Sequence, residues 1–293
     1  GVQTGREDSG RPVSCNMSNP THSASPVSLR QRMRAGETLV GSWINSGSPI
    51  IAELMAASGF DFLCVDVEHS AVDLPQTQQL FQAIRSGRPD CAALVRLHGV
   101  DYAFVKRYLD AGACGLVAPL VRTQEEAALL VQAAKYPPLG LRGVGFCRAN
   151  SYGLRLADEC ARANEDTFVA VQIEHIDAVN NIDAILGVPG IDAAFIGPYD
   201  LTASMGITAQ FEHPDYLAAR AAILAACHRH AVVPGIHVVP PAPDQVKARI
   251  AEGFRFIGYS LDITMLTTAC TEGLAEIRQG LADRPQDKNP RKA

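Results

Sequence analysis

The sequence predicts an α/β fold, a (β/α)8 TIM barrel, and three observations carry that prediction. Short apolar runs alternate with amphipathic helical stretches along the chain. These runs are continuous rather than alternating in polarity, the pattern of parallel strands covered on both faces. Eight of them fall within residues 28–282, close to the ~250 residues of one such barrel. They are LVGSWI (39–44), DFLCVD (61–66), AALVRL (92–97), GLVAPL (115–120), FVAVQI (168–173), AAFIG (193–197), VVPGI (232–236) and FRFIGYS (254–260).

A helix, a glycine and a strand follow one another in ELMAASG-FDFLCVD, VKRYLDAG-ACGLVAPL and QVKARIAEG-FRFIGYS. Gly59, Gly112 and Gly253 stand where a helix stops on a residue with positive φ. An open dinucleotide-binding sheet would want G-x-G-x-x-G after its first strand, but Asn45-Ser46-Gly47-Ser48-Pro49 follows instead. A closed barrel is the better fit.

Residues 1–27 are rich in Ser, Pro, Thr and Gly, and are expected to be disordered because they bury too little apolar surface. Those before Met17 read as a leader rather than native sequence. The polar tail 283–293 is likewise not expected to pack. The net charge of −5 carries no basic block, which argues against a nucleic-acid partner. No apolar run reaches the ~18 residues of a membrane span. The eight cysteines include no C-x-x-C pair, a usage suited to a reducing cytoplasm.

Barrel enzymes place reacting groups at the carboxyl ends of their strands. Those ends carry Asp66, Glu68 and His69 after strand 2, Arg96 in strand 3, and Gln172 and Glu174 at strand 5. Tyr199 and Asp200 follow strand 6, and Ser260 and Asp262 follow strand 8. Neighbouring strands lie ~4.8 Å apart, so Glu174 and Asp200 can converge on one hard cation such as Mg2+ or Mn2+. Position alone equally allows both to be acids at helix starts. His69 is a proton shuttle or an ordinary loop histidine. Arg96, in an apolar strand, meets an anionic substrate or forms a buried salt bridge. Asp110 closes a helix, against the dipole, as a functional acid or as a surface partner of Lys106.

None of the five lysines lies at a strand end, which disfavours Schiff-base chemistry. The turns after strands 7 and 8 lack a Gly-rich phosphate grip, so a free carboxylic acid is expected before a phosphorylated sugar. His98, His175 and His237 are further candidates for lining the mouth, and Trp43 for core or pocket wall. His228 and His230 point to different helix faces and are not expected to share a metal.

Taken together, GFDFLCVDVEH, LVRL, YPPLGLRGVG, VQIE, FIGPYDLTASMG and GYSLDITML resemble the HpcH/HpaI aldolase family, metal-dependent pyruvate aldolases, over nearly all of residues 28–280. The resemblance implies His69 as catalytic base, Asp110 as the acid that raises its basicity, and Arg96 as support for the developing oxyanion. It implies Glu174 and Asp200 as ligands of Mg2+ or Mn2+, with Co2+ a third option, and Gln172, Asp200 and the Tyr199 backbone as substrate contacts. It further implies cleavage of 4-hydroxy-2-oxo acids to pyruvate, or a close analogue, plus an aldehyde. A homo-oligomer is also implied, a hexamer built as a trimer of dimers with sites near subunit boundaries.

Val67 and Tyr199 depart from the family pattern and are expected to add bulk near the pocket. The loop GFCRANSYG has no assigned place. Two other readings stand beside the aldolase: a citrate lyase β-like acyl-CoA lyase, which needs a basic cluster that is not evident beside the site, and a catalytically silent metabolite-binding barrel.

Overall fold

The computed structural model describes residues 27–282; the expectations for 1–26 and 283–293 fall outside them. Eight parallel strands close a barrel in sequence order. They are β1 (Leu39–Ile44), β2 (Phe62–Asp66), β3 (Ala92–Arg96), β4 (Gly115–Ala118), β5 (Phe168–Ile173), β6 (Ala193–Ile196), β7 (Val233–Val238) and β8 (Phe256–Leu261). Every strand of the sequence reading is present. The predicted ends shift by no more than two residues; β7 runs on to Val238 and so places His237 within the strand.

Two cores hold the barrel. Inside it, Trp43, Phe62, Leu94, Phe168, Phe195 and Phe256 interdigitate. Helix Leu29–Arg34 contributes Leu29 and Met33 to the same cluster, a contribution the sequence reading did not foresee. This helix is tied down at Arg30, whose Nε donates to Asp192 Oδ1 at 2.6 Å. Gly41 is required where it stands, since a Cβ there would lie 2.3 Å from the Phe62 ring. Outside the barrel, the other faces of the strands pack against the surrounding helices in a second cluster. Gly59, Gly112 and Gly253 have φ of +108°, +105° and +105°, as the helix-stop reading requires.

The long connection from β4 to β5 holds helix Gln124–Ala134, a single 3-10 turn at Arg148–Asn150, and helix Leu156–Asp166. GFCRANSYG forms that turn on the amino-end side of the strands. Asn150 is fully buried and ties the loop through Gly145, Cys147 and Gly153.

Cys64 is buried in the barrel, whereas Cys114 is exposed. Val67 is buried in the outer core, so its bulk is spent on packing. No helix of the described residues is long and apolar enough to cross a membrane. The last helix, Asp262–Ala282, leaves Ile263, Leu266, Leu274, Ile277 and Leu281 exposed, spaced as one stripe of a helix.

Candidate active site

The strand register decides which side chains meet. Ile173 pairs with Ile196, so the residues that follow, Glu174 and Gly197, leave the sheet side by side. Gly197 allows this approach, because a Cβ there would stand 2.5 Å from Glu174 Oε2. Asp200 follows in the first turn of helix Pro198–Ser204. Neither acid caps a helix: His175 caps the helix after Glu174, and Gly197 occupies the cap position before Asp200.

Glu174 is nearly inaccessible at 3 %, and its carboxylate has two fixed donors. Leu120, held at φ +53°, donates its backbone N–H to Oε1 at 2.7 Å; strained backbone of this kind persists where the surrounding structure over-determines it. Gln172 Nε2 donates to Oε2. Burial pushes the Glu174 carboxyl up to about 7, and the negative charges of Glu68 and Asp200 add to the rise against the Leu120 N–H. Burial also raises Glu68, with Arg96 and His69 opposing.

Three carboxylates therefore crowd one mouth. The nearest cation is already committed: Arg96 forks onto Asp66, with Nε to Oδ1 at 2.9 Å and Nη2 to Oδ2 at 2.5 Å. Burial alone would raise the Asp66 carboxyl, but the Arg96 bonds and charge hold it below the usual carboxylate range. Excess negative charge of this kind fits a divalent cation held by Glu174 and Asp200, with other positions left open. No group of three or more His, Cys, Asp or Glu side chains suited to a metal occurs among the described residues.

Asp66, given no role in the sequence reading, is the hub of the mouth. It is fully buried and also accepts from Asn45 Nδ2 at 2.6 Å and from the backbone N–H groups of Glu68 and His69. The signal was a charged residue ending a wholly apolar strand. Asp262 works similarly, taking the N–H groups of Asn45 and Ser46 and so tying β8 to the loop after β1.

A cavity of about 130 Å³ opens here, walled by Trp43, Arg96, Gln172, Tyr199, Asp200 and His237. The Arg96 guanidinium lies 4.7 Å from the Trp43 ring centre. Buried polar atoms without a hydrogen-bond partner cluster around it: Trp43 Nε1, Gln172 Oε1 and Ser260 Oγ. Such orphans are rare unless a ligand, ion or water satisfies them. His237 Nε2 donates to the Ser260 carbonyl at 3.1 Å. Burial pushes this imidazole down to about 4. A wider cleft of about 600 Å³ lies toward the other end of the strands, and none of the predicted site residues lines it.

His69, Arg96, Gln172, Glu174, Tyr199 and Asp200 thus meet at one mouth. His69 is largely exposed and lies 3.6 Å from Glu68 Oε2. Asp110 does not join them. It ends helix Tyr102–Asp110, on the side where β4 begins, and its Oδ1 accepts from Arg142 Nη2 at 2.9 Å. Neither a contact with His69 within one chain nor the surface pair with Lys106 is present. His98 packs on Phe104, and His230 binds Asp183.

The family model for HpcH/HpaI aldolase/citrate lyase matches residues 39–269. The chain is 37% identical over 257 residues to a 4-hydroxy-2-oxovalerate aldolase of Rhodococcus jostii, covering 86% of this chain and 98% of that one. It is 36% identical over 245 residues to a hydroxypyruvate/pyruvate aldolase of Chromohalobacter salexigens, covering 83% and 94%. The crystal structure of an HpcH/HpaI aldolase/citrate lyase family protein from Burkholderia cenocepacia superposes with a TM-score of 0.81 at 36% identity, covering 85% and 98%. The chain belongs to the HpcH/HpaI aldolase/citrate lyase family.

Proposed function

We propose that this protein is a divalent-metal-dependent carbon–carbon lyase that cleaves 4-hydroxy-2-oxo acids to pyruvate, or a close analogue, and an aldehyde. The observation that carries this reading is the convergence of Glu174, Asp200 and Glu68 on one mouth, where burial first and the neighbouring negative charges second raise the Glu174 carboxyl to about 7. Glu174 and Asp200 would hold Mg2+ or Mn2+, or alternatively Co2+. When bound, the cation supplies Lewis-acid chemistry to a 2-oxo acid.

The remaining steps belong to the chain itself. Asp66 fixes Arg96 so that its guanidinium faces the cavity, opposing negative charge that grows at the keto oxygen. The Gln172 side chain and the Tyr199 backbone N–H, which has no helical partner in the first turn, orient the acid. His69 takes the proton from the 4-hydroxyl as the carbon–carbon bond breaks. The closed wall of Trp43 and Phe195 limits water.

Asp110 fits this scheme through a second copy of the chain. It lies near an exposed apolar surface formed by Leu139, Leu141, Val144 and Phe146, close to its partner Arg142. Such patches mark association surfaces, as does the uncovered stripe of the last helix. These surfaces support a homo-oligomer, for which the family resemblance implies a hexamer built as a trimer of dimers, and we propose that Asp110 serves the His69 of a neighbouring copy. The cysteines among the described residues are free, which supports a cytoplasmic location.

The test is pyruvate release from a 4-hydroxy-2-oxo acid, coupled to lactate dehydrogenase, with Mn2+ and with EDTA. Metal-dependent release supports the assignment; release indifferent to EDTA overturns it.

A further inference from the structure

The cleft of about 600 Å³ opens at the amino ends of the strands, where Asp61, Ala92, Cys114 and Thr167 precede or begin β2 to β5. Its size is typical of ligand pockets, which run from ~300 to 1,000 Å³. One wall of it is the loop GFCRANSYG. Ser151 and Tyr152, both on this wall, are held at φ +54° and +58°. Successive residues with side chains are costly in this left-handed region, and such strain gathers at ligand clamps. Buried Asn150 enforces the conformation through its bonds with Gly145, Cys147 and Gly153.

The turn shaped by this strain sets Arg148, half-buried, in the cleft wall. Its Nη1 donates to the Ala111 carbonyl at 3.0 Å. Gly112 makes room for that contact, since a Cβ there would stand 2.0 Å from Nη1. The bond uses one of the five donors of a guanidinium. Burial lowers the Arg148 pKa and the charge of Arg85 lowers it further, opposed only by the Tyr152 hydroxyl and the Cys114 thiol. No carboxylate among the described residues answers this charge. Arg85, from the last turn of helix Leu74–Gly87, lines the same cleft and has no ion pair among the described residues. The acids of the cleft are engaged elsewhere. Asp61 accepts from Arg32 at 2.9 Å, Glu159 and Asp166 stand with Arg162 and Arg142, and Asp90 is exposed. Capping the end of helix Tyr102–Asp110 accounts for Arg148 alone; it does not account for a second cation beside it. Such a pair costs free energy until an anion meets both charges.

We infer that Arg85 and Arg148 form an anion-binding site on the amino-end face of the barrel, which takes the phosphate group of a small phosphorylated metabolite whose remainder fills the cleft. A phosphate ester near neutral pH carries close to two negative charges, matching two guanidiniums, whose planar forks suit its oxygens. The hydroxyls of Ser151 and Tyr152 line the same wall as further donors. The site goes beyond the aldolase reading, since no residue placed at the reactive mouth lines this cleft. The two arginines come from different elements, so no basic run in the sequence marks them.

The test is isothermal calorimetry on the full chain in EDTA, so that no metal at the reactive mouth draws phosphate. The probes are inorganic phosphate and glycerol 3-phosphate, with glycerol and succinate as the neutral and carboxylate controls. Glycerol 3-phosphate should bind with a Kd of about 1 mM or below, more tightly than succinate, and glycerol should not bind. Arg85→Gln and, separately, Arg148→Gln should each weaken that binding about 10-fold or more, the usual contribution of a hydrogen bond between charged groups. Arg85→Lys should retain part of it, and Arg96→Ala, at the reactive mouth, should leave it unchanged. If Arg148→Gln fails to fold by circular dichroism, Arg85→Gln, at an exposed helix position, carries the test. Absence of binding by either phosphate probe up to about 10 mM overturns the inference, as does binding undiminished in the glutamine variants. Binding lost in Arg96→Ala overturns it too, because the phosphate then sits at the reactive mouth. Succinate bound as tightly as the phosphate ester overturns the choice of phosphate.

Discussion

The Arg96 guanidinium and the Asp66 carboxylate form a two-pronged pair at the mouth of the barrel, with bonds of 2.9 and 2.5 Å. A fork of this kind fixes the plane of the guanidinium as well as its position. Arg96 is therefore held by Asp66, with Glu68 Oε2 a further 3.4 Å from its Nε, while its face looks into the cavity beside Trp43.

Asp66→Asn keeps the shape but removes the charge and one acceptor of that pair. Breaking a buried pair costs about 3–5 kcal/mol, so the variant should melt lower, as circular dichroism would record. Turnover should fall by about 10²–10³, the usual loss when a preorganised donor to a developing oxyanion is released. Arg96→Ala should still bind Mn2+ yet lose most turnover. Normal turnover in Arg96→Ala would remove the role given to it.

Glu174→Ala should abolish Mn2+ binding measured by isothermal calorimetry, because half of the protein's ligand set is gone. Asp200→Ala should weaken binding through the same loss. In the wild type, stripping the metal with EDTA should stop pyruvate release, and added Mn2+ should restore it.

Metal-free stability should respond to pH through two opposed groups. His237 drops from 6.5 to about 4 in the folded chain. Its contribution is complete above pH 6.5 and is lost as pH falls toward 4, about 3 kcal/mol in all. Glu174 rises from 4.5 to about 7. Its contribution is complete below pH 4.5 and is lost as pH rises to 7, a similar amount with opposite sign. The wild type should therefore be nearly flat between pH 4.5 and 6.5 in urea melts. Glu174→Gln should gain stability with rising pH across that window, and His237→Phe should lose it. A steep wild-type profile would contradict the balance.

His69→Ala and Asp110→Ala should each be nearly inactive alone. If Asp110 serves a neighbouring copy, mixing the two variants after partial unfolding and reassembly rebuilds some intact sites. Random assembly should return about a quarter of wild-type activity per site. No recovery in a mixed oligomer, confirmed by mass spectrometry, would place Asp110 outside the site.

Local sequence went far toward the fold and part of the site. Continuous apolar runs and helix-stopping glycines define parallel strands because each depends on only a few neighbouring residues. The placement of the two acids proposed to hold the metal was also legible, since strand order alone sets Glu174 beside Gly197 and Asp200. Asp66 was visible only as an acid at a strand end; its importance lies in Arg96, 30 residues away.

What local sequence determined is the number, order and direction of the strands, and hence which residues end at the reactive mouth. Tertiary structure alone decided the pairings: Arg96 with Asp66, Glu174 with the Leu120 N–H, Arg85 and Arg148 in one cleft, and Asp110 with Arg142. Periodicity and capping act over a few residues, whereas closure of the barrel brings together side chains tens or hundreds of positions apart. The charges that meet there are set by that closure.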